Sequence, residues 1–262
     1  MSLAIAIPKA IPRAALVTGG AQRLGRAIAL ALAEAGFAVI VHYNASEEAA
    51  AAVCAEIQAR GQDAAMLQAD LADEAAVEDL IPRACRAIGP LGVLVNNASV
   101  FERDEWDNAT RASWDGHLDP NLRAPFLLTQ HFARTLPAGA EGAVINMLDQ
   151  RVWSLTPHFV SYSLSKAALW ALTQSLALAL APRIRVNGVG PGPALPNSRQ
   201  TQAQFERQAA STPLGRGPSA EEVGSAVLAI LALPSMTGQM IALDGGQHMQ
   251  WHPAGAVRDA DD

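Results

Sequence analysis

Short apolar runs recur along the chain and alternate with longer segments whose apolar positions return every three to four residues. The runs Ala14–Thr18, Ala38–His42, Ala64–Ala69, Val93–Asn96, Ala143–Met147, Ile184–Val189 and Gln239–Leu243 are predicted strands. They carry few charges, as expected of strands covered by helices on both faces. The segments between them predict helices beginning near Arg23, Ser46, Asp73, Thr110, Pro157 and Ser219, several at residues able to cap a first turn. Glu47, Glu48, Asp73 and Glu74 fall where they suit the positive end of a helix dipole. This alternation predicts one α/β domain over residues 1–262, built on a doubly wound parallel seven-stranded sheet with right-handed crossovers. Two irregular stretches, 100–108 and 191–212, each follow a strand end. Ligands bind beyond the carboxyl ends of such strands, so both stretches are expected walls of a substrate site.

Composition narrows the partners. Half of the residues are hydrophobic and 5% aromatic, which suits helices packed closely on a sheet. The net charge of -6 and the scattered basic residues give no footprint for a phosphate backbone, so no nucleic-acid partner is expected. Ser2–Ile7 is apolar but has no basic leader and is interrupted by Pro8, Lys9 and Pro12, so no export signal and a cytoplasmic location are expected. Ala167–Ala181 is broken by Thr173, Gln174 and Ser175 and falls short of the roughly 20 residues that span a bilayer. It reads as a buried helix, with no membrane partner. Cys54 and Cys85 lie in separate helical patterns without metal-ligand spacing, which predicts reduced thiols and no metal site.

The first strand ends in Thr18-Gly19-Gly20-Ala21-Gln22-Arg23-Leu24-Gly25 and runs directly into an amphipathic helix. Glycines let a backbone approach a pyrophosphate, and the helix N-terminus offers free N–H groups and partial positive charge. After the second strand the sequence is His42-Tyr43-Asn44-Ala45-Ser46, without the carboxylate that an NAD site places against the ribose 2′-hydroxyl. Arg23 can grip a 2′-phosphate and Ser46 offers a hydroxyl beside it, which favours NADP(H). A solvated surface arginine is the plain alternative for Arg23.

Tyr162 and Lys166 are spaced i, i+4 and share one helical face. A phenol ordinarily titrates near pH 10, and an adjacent ammonium favours its phenolate, so the pair is a candidate proton donor. Thirteen residues before the tyrosine stands Asp149. An ionised carboxylate only accepts hydrogen bonds and repels a developing alkoxide, whereas a nitrogen heterocycle bearing N–H groups presents donors to it. Reduction of a C=N bond in a nitrogen heterocycle therefore suits this site better than ketone reduction. A loop or capping aspartate, with Ser154 as an ordinary serine nearby, is the plain alternative.

Together Thr18-Gly19-x-x-x-Arg23-x-Gly25, Asp70-Leu71, Asn96-Asn97-Ala98-Ser99, Asn121, Tyr162-x-x-x-Lys166, Pro191-Gly192 and Asp244-Gly245-Gly246 resemble the short-chain dehydrogenase/reductases over nearly the whole chain. Arg23 in place of the second turn glycine, Asp149 in place of the usual serine, and Phe101 after Asn97-Ala98-Ser99 resemble the pteridine and dihydromonapterin reductases. The resemblance implies a Rossmann-type fold and an NADPH-dependent reductase of pterins, in folate metabolism. It implies that Asp70 and Leu71 border the adenine, Lys166 holds the nicotinamide ribose, and Pro191 and Gly192 line the nicotinamide. Asn121 is expected to support a proton-relay water, Phe101 to sandwich the pterin, and Ser99 to contact the pterin or the cofactor phosphates. It further implies a homotetramer, with Gln247–Trp251 near a subunit contact; His252 reads as a solvated tail residue. Two readings stand beside this one: a carbonyl reductase, and a sensor that binds NADP(H) without turnover.

Overall fold

The computed structural model describes residues 6–196 and 199–250; Trp251 and His252 lie outside them. Seven strands form one parallel sheet: β1 (Ala14–Val17), β2 (Ala38–Tyr43), β3 (Ala64–Gln68), β4 (Val93–Asn96), β5 (Gly142–Met147), β6 (Ile184–Pro191) and β7 (Met240–Leu243), ordered β3-β2-β1-β4-β5-β6-β7. The order in which successive strands are added reverses between β1 and β4, which opens a crevice at their carboxyl ends. That crevice holds the site described below.

Alternation along each strand sorts the core into two layers. Ala15 and Val17 of β1, with Val39 and Val41 of β2, pack on α1 (Arg23–Glu34), α2 (Glu47–Ala59) and α8 (Ala220–Leu231) through Ile28, Leu32, Val53, Ile57, Val223 and Val227. Ala14, Leu16 and Ile40 face the other way, onto α3 (Glu74–Ile88) and α5 (Ala124–Thr135), through Leu80, Ile81, Leu128 and Phe132. Each such Leu, Ile or Phe, wholly buried, contributes about 1.5–3 kcal/mol of transfer free energy. Helix starts follow the caps read in the sequence at Asp73, Thr110 and Ser219, whose side chains accept from first-turn amides. Ser46 precedes α2 without capping it, which leaves its hydroxyl for other use.

Three features depart from the expected pattern. The stretch 191–212 is not wholly irregular, because it contains α7 (Gln202–Ala210), closed by a capping box between Thr201 and Gln204. Its apolar content is too low to show a helical stripe, and no α7 residue is buried. The segment after Thr110 is not one helix: α4 (Arg111–Leu118) passes through a π turn at Asp119–Arg123 into α5. Pro120 lies within that widened turn and Pro125 in the first turn of α5. Finally, α6 (Val160–Leu180) starts three residues beyond Pro157, after Phe159 in a left-handed conformation. Among the described residues no helix is long and apolar enough to cross a membrane and no His, Cys, Asp and Glu cluster could hold a metal ion. Both cysteines are free thiols.

Candidate active site

A cleft of about 510 Å³ opens along the carboxyl ends of β1, β2, β4, β5 and β6. Its first half is the turn after β1. The Thr18 hydroxyl oxygen accepts from the Asn97 and Ala98 amides at 2.9 and 3.0 Å, and Asn97 Nδ2 donates to Thr18 O at 2.8 Å. These bonds lash the turn to the end of β4. Gly19 is left-handed (φ +60°), and a Cβ on Gly25 would lie 2.0 Å from the Gly19 carbonyl oxygen, so the first turn of α1 closes on the loop only without a side chain there.

His42 supports the turn from beneath. Its Nδ1 accepts the Gly19 N–H at 3.0 Å, and its Nε2 lies 3.1 Å from Ala69 O, to which it donates. Burial holds the imidazole neutral and lowers its pKa from 6.5 to about 4, with the Ala69 bond opposing. Arg23 takes a positive φ of 54°, a conformation that favours glycine. Its guanidinium donates to the carbonyls of Pro196 (2.6 Å) and Leu195 (3.3 Å). Arg23 thus joins the turn to the wall 191–196.

The second half lies between β5, α6 and the loop 100–108. Asp149 follows β5 and points inward: Tyr162 donates its hydroxyl to Asp149 Oδ2 at 2.8 Å. Arg151 braces the same carboxylate through its amide (2.8 Å) and its guanidinium (3.3 Å), with both side chains 13% exposed. Burial, and then the Asp149 charge, raise the Tyr162 phenol well above its ordinary value, with Arg151 opposing. The net shift is upward, opposite to what a neighbouring ammonium alone would produce, because burial and Asp149 dominate. Lys166 Nζ donates to Met147 O at 2.8 Å, and burial lowers its pKa from 10.5 to about 8, with Asp149 opposing.

Over the phenol lies Phe101, stacked on Phe159 at 4.6 Å and edge-on to Tyr162 at 4.5 Å. Guanidiniums of Arg199 (4.9 Å) and Arg151 (5.5 Å) face the Phe101 ring. Phe159 is the second left-handed non-glycine residue among the described residues, and like Arg23 it lines the cleft.

Most of the residues singled out in the sequence meet here: Gly19, Arg23, Leu24, Gly25, Asn44, Ser46, Asn97, Ala98, Ser99, Phe101, Asp149, Tyr162, Lys166, Pro191 and Gly192 all line the cleft. Three do not. Asp70 closes a local turn on the Ala72 amide, Leu71 is buried in the core, and Asn121 is buried with its side chain bonded to Val100 and Ser165. Arg151, Phe159 and His42 were missed. His42 acts on Gly19 from 23 positions away, Phe159 through its backbone conformation, and Arg151 through an ion pair with Asp149 that only the fold closes. Gln150 Oε1, buried in the cleft wall, has no hydrogen-bond partner among the described residues.

A glycine-cradled helix start facing a Tyr-x-x-x-Lys pair across a sheet switch point defines a nucleotide-dependent reductase scaffold. The chain belongs to the short-chain dehydrogenase family, whose model matches residues 13–207. Among curated relatives, 3-oxoacyl-[acyl-carrier-protein] reductase FabG of Staphylococcus aureus (strain Mu50) is 34% identical over 242 residues, covering 90% of this chain and 98% of that one. Among solved structures, FolM alternative dihydrofolate reductase 1 from Brucella suis, in complex with NADP, is 47% identical with a TM-score of 0.89, covering 92% of this chain and 96% of the other. The same-named protein from Brucella canis, also with NADP, is 44% identical with a TM-score of 0.91, over 95% and 100% of the two chains.

Proposed function

We propose that the protein is an NADPH-dependent reductase of a pterin C=N bond, in a substrate of the dihydropterin or dihydrofolate type. The observation that carries this is the Tyr162–Asp149 bond of 2.8 Å, with the carboxylate lining the cleft beneath Phe101. The greater likeness to dihydrofolate reductases, at 44 and 47% identity against 34% for the 3-oxoacyl reductase, supports it.

The residues present fit the cofactor. Gly19 and Gly25 have no room for a side chain, no acid stands in Asn44-Ala45-Ser46 directly after β2, and the Ser46 hydroxyl caps nothing. In this reading Gly19, Leu24 and Gly25 meet the pyrophosphate, Asn44 and Ser46 meet the 2′-phosphate, and Arg23 turns to it from the Leu195 and Pro196 carbonyls when the cofactor binds. Asp70 and Leu71 border the adenine, Asn97, Ala98 and Ser99 flank the cofactor, Lys166 holds the ribose, and Pro191 and Gly192 line the nicotinamide. When bound, the reduced nicotinamide supplies hydride to the imine carbon. Tyr162 gives its proton to the adjacent ring nitrogen, a role suited to a phenol held in its protonated form. Asp149 orients that hydroxyl and accepts from N–H groups of the pterin. Lys166 restores charge balance to the phenolate left behind, and a relay water, supported by the Asn121 main chain since its side chain is committed to Val100 and Ser165, returns the proton. Phe101 and Ser99 seat the pterin ring.

Replacing Asp149 by Ser tests the assignment. Losing its charge-assisted bonds, each contributing about 1.5–3 kcal/mol, lowers kcat/KM for a dihydropterin by about 100-fold or more, while ketone turnover rises. Pterin turnover unchanged in Asp149→Ser overturns the proposal. The 3-oxoacyl reductase relatives favour a second reading, a carbonyl reductase, which predicts ketone turnover and none on pterins. Part of the same proposal is a cytoplasmic homotetramer, whose contacts would use the exposed apolar side chains Trp114 on α4 and Leu164 and Leu178 on α6.

A further inference from the structure

Phe101 is held on both sides along the chain by buried side chains that stand outside the cleft. Before it, Asn121 Oδ1 accepts the Val100 N–H at 2.8 Å and Nδ2 donates to Val100 O at 2.9 Å, a two-bond clasp. After it, His117 Nε2 accepts the Glu102 N–H at 2.9 Å. An amide N–H can only donate, so Nε2 is bare and the ring proton sits on Nδ1. Nδ1 faces Ser161 Oγ at 2.7 Å and Ser113 O at 2.9 Å. A carboxylate can only accept, so the Ser161 hydroxyl donates onward to Asp104 Oδ2 at 2.5 Å. Asp104 Oδ1 also takes the Ser161 N–H at 3.1 Å, and the Asp104 carbonyl takes the Val160 N–H at 3.2 Å.

All three side chains are at most 3% exposed, and donors run one way from His117 through Ser161 to Asp104. Burial pushes the Asp104 carboxyl up, but the Ser161 hydroxyl and amide and the Ser113 hydroxyl outweigh it and the net shift is downward. A fully satisfied buried network of this kind fixes one arrangement of the chain around it. Although it joins Ser, His and Asp, it is no hydrolytic triad: the serine bonds directly to the carboxylate and none of the three lines the cleft. Ser161 immediately precedes Tyr162, so the network ties the backbone carrying Phe101 to the helix turn carrying the proton donor.

We propose that His117, with Ser161 and Asp104, is a positioning unit that presets Phe101 over Tyr162 for the substrate ring. This rests on the reading that the Phe101 side of the cleft seats the acceptor. Two variants separate positioning from general damage. His117→Leu leaves the Glu102 N–H without its acceptor, whereas His117→Gln keeps an amide oxygen for that N–H and an amide donor toward Ser161.

Amide hydrogen exchange over 100–108 in the ligand-free protein, and separate KM values for 7,8-dihydropterin and NADPH, read the outcome. His117→Leu is expected to speed exchange of the loop and to raise the pterin KM, each about tenfold, with the NADPH KM within about twofold. His117→Gln stays within about threefold of the parent on every readout. Ser161→Ala, which keeps the imidazole, moves loop exchange in the same direction by about threefold and serves if the leucine variant does not fold. Unchanged loop exchange in the variants, a parallel rise of both KM values, or a glutamine variant as impaired as the leucine one overturns the proposal. If the parent protein turns over no pterin, the functional assignment fails by itself, and loop exchange still decides whether the network anchors Phe101.

Discussion

His42 links the stability of the fold to the cofactor turn, and replacing it by Gln makes that link measurable. The imidazole accepts from Gly19 and donates to Ala69, so it must be neutral in the folded chain, and burial lowers its pKa to about 4 against 6.5 when unfolded. The folded value is depressed, so between those two values the unfolded chain binds the proton and the folded chain does not. Stability from this group is thus complete above about pH 6.5 and is lost as pH falls toward 4. Integrated from pH 7 to pH 4.5, the loss comes to about 2 kcal/mol. His42→Gln can make both bonds without titrating. Urea unfolding of both proteins at pH 7 and pH 4.5 isolates the term, because every other titrating group cancels in the comparison. The gap between them is expected to move by about 2 kcal/mol in favour of the variant on acidification. A gap constant to within about 0.5 kcal/mol refutes a neutral, buried His42.

Three further outcomes follow from the site. Lys166 loses its proton near pH 8, so pterin turnover is expected to fall as pH rises through that value in a kcat profile. A profile flat from pH 7 to about 9.5 contradicts a required ammonium. Because Asp149 raises the Tyr162 phenol, Asp149→Asn lowers its titration, read as tyrosinate absorbance in a Tyr43→Phe background where Tyr162 is the only remaining tyrosine. An unmoved titration shows that the carboxylate does not face the phenol. Gly25→Ala drives a methyl into the Gly19 carbonyl and is expected to weaken NADPH binding, followed by cofactor fluorescence, by about tenfold or more. Unaltered binding shows that the cradle does not seat the cofactor.

The sheet was legible because two-faced burial writes strands as uninterrupted apolar runs, and Ala14, Ala38, Ala64, Val93 and Ile184 begin strands where the pattern places them. Helix α7 was not, since a wholly surface-lying helix carries no stripe, although Thr201 and Gln204 spell its cap. In the site, glycines and the Tyr162–Lys166 spacing are local and could be read directly. His42 and Arg151 could not. The first acts across 23 positions on Gly19, and the second sits two residues from Asp149, where only folded geometry turns proximity into an ion pair. Nor does sequence show that Phe159 adopts a left-handed backbone to stack on Phe101. Burial, equally invisible in spacing, reversed the expected direction for the phenol.

Loss of NADPH absorbance, followed in parallel with 7,8-dihydropterins, dihydrofolate, a 3-oxoacyl thioester and simple ketones, tests the central claim most directly. With Asp149 facing the acceptor, kcat/KM for at least one dihydropterin or dihydrofolate is expected to exceed that for every carbonyl compound by about 100-fold, about 3 kcal/mol of differential stabilisation. Rapid turnover of the thioester or a ketone, with none of any pterin, contradicts it.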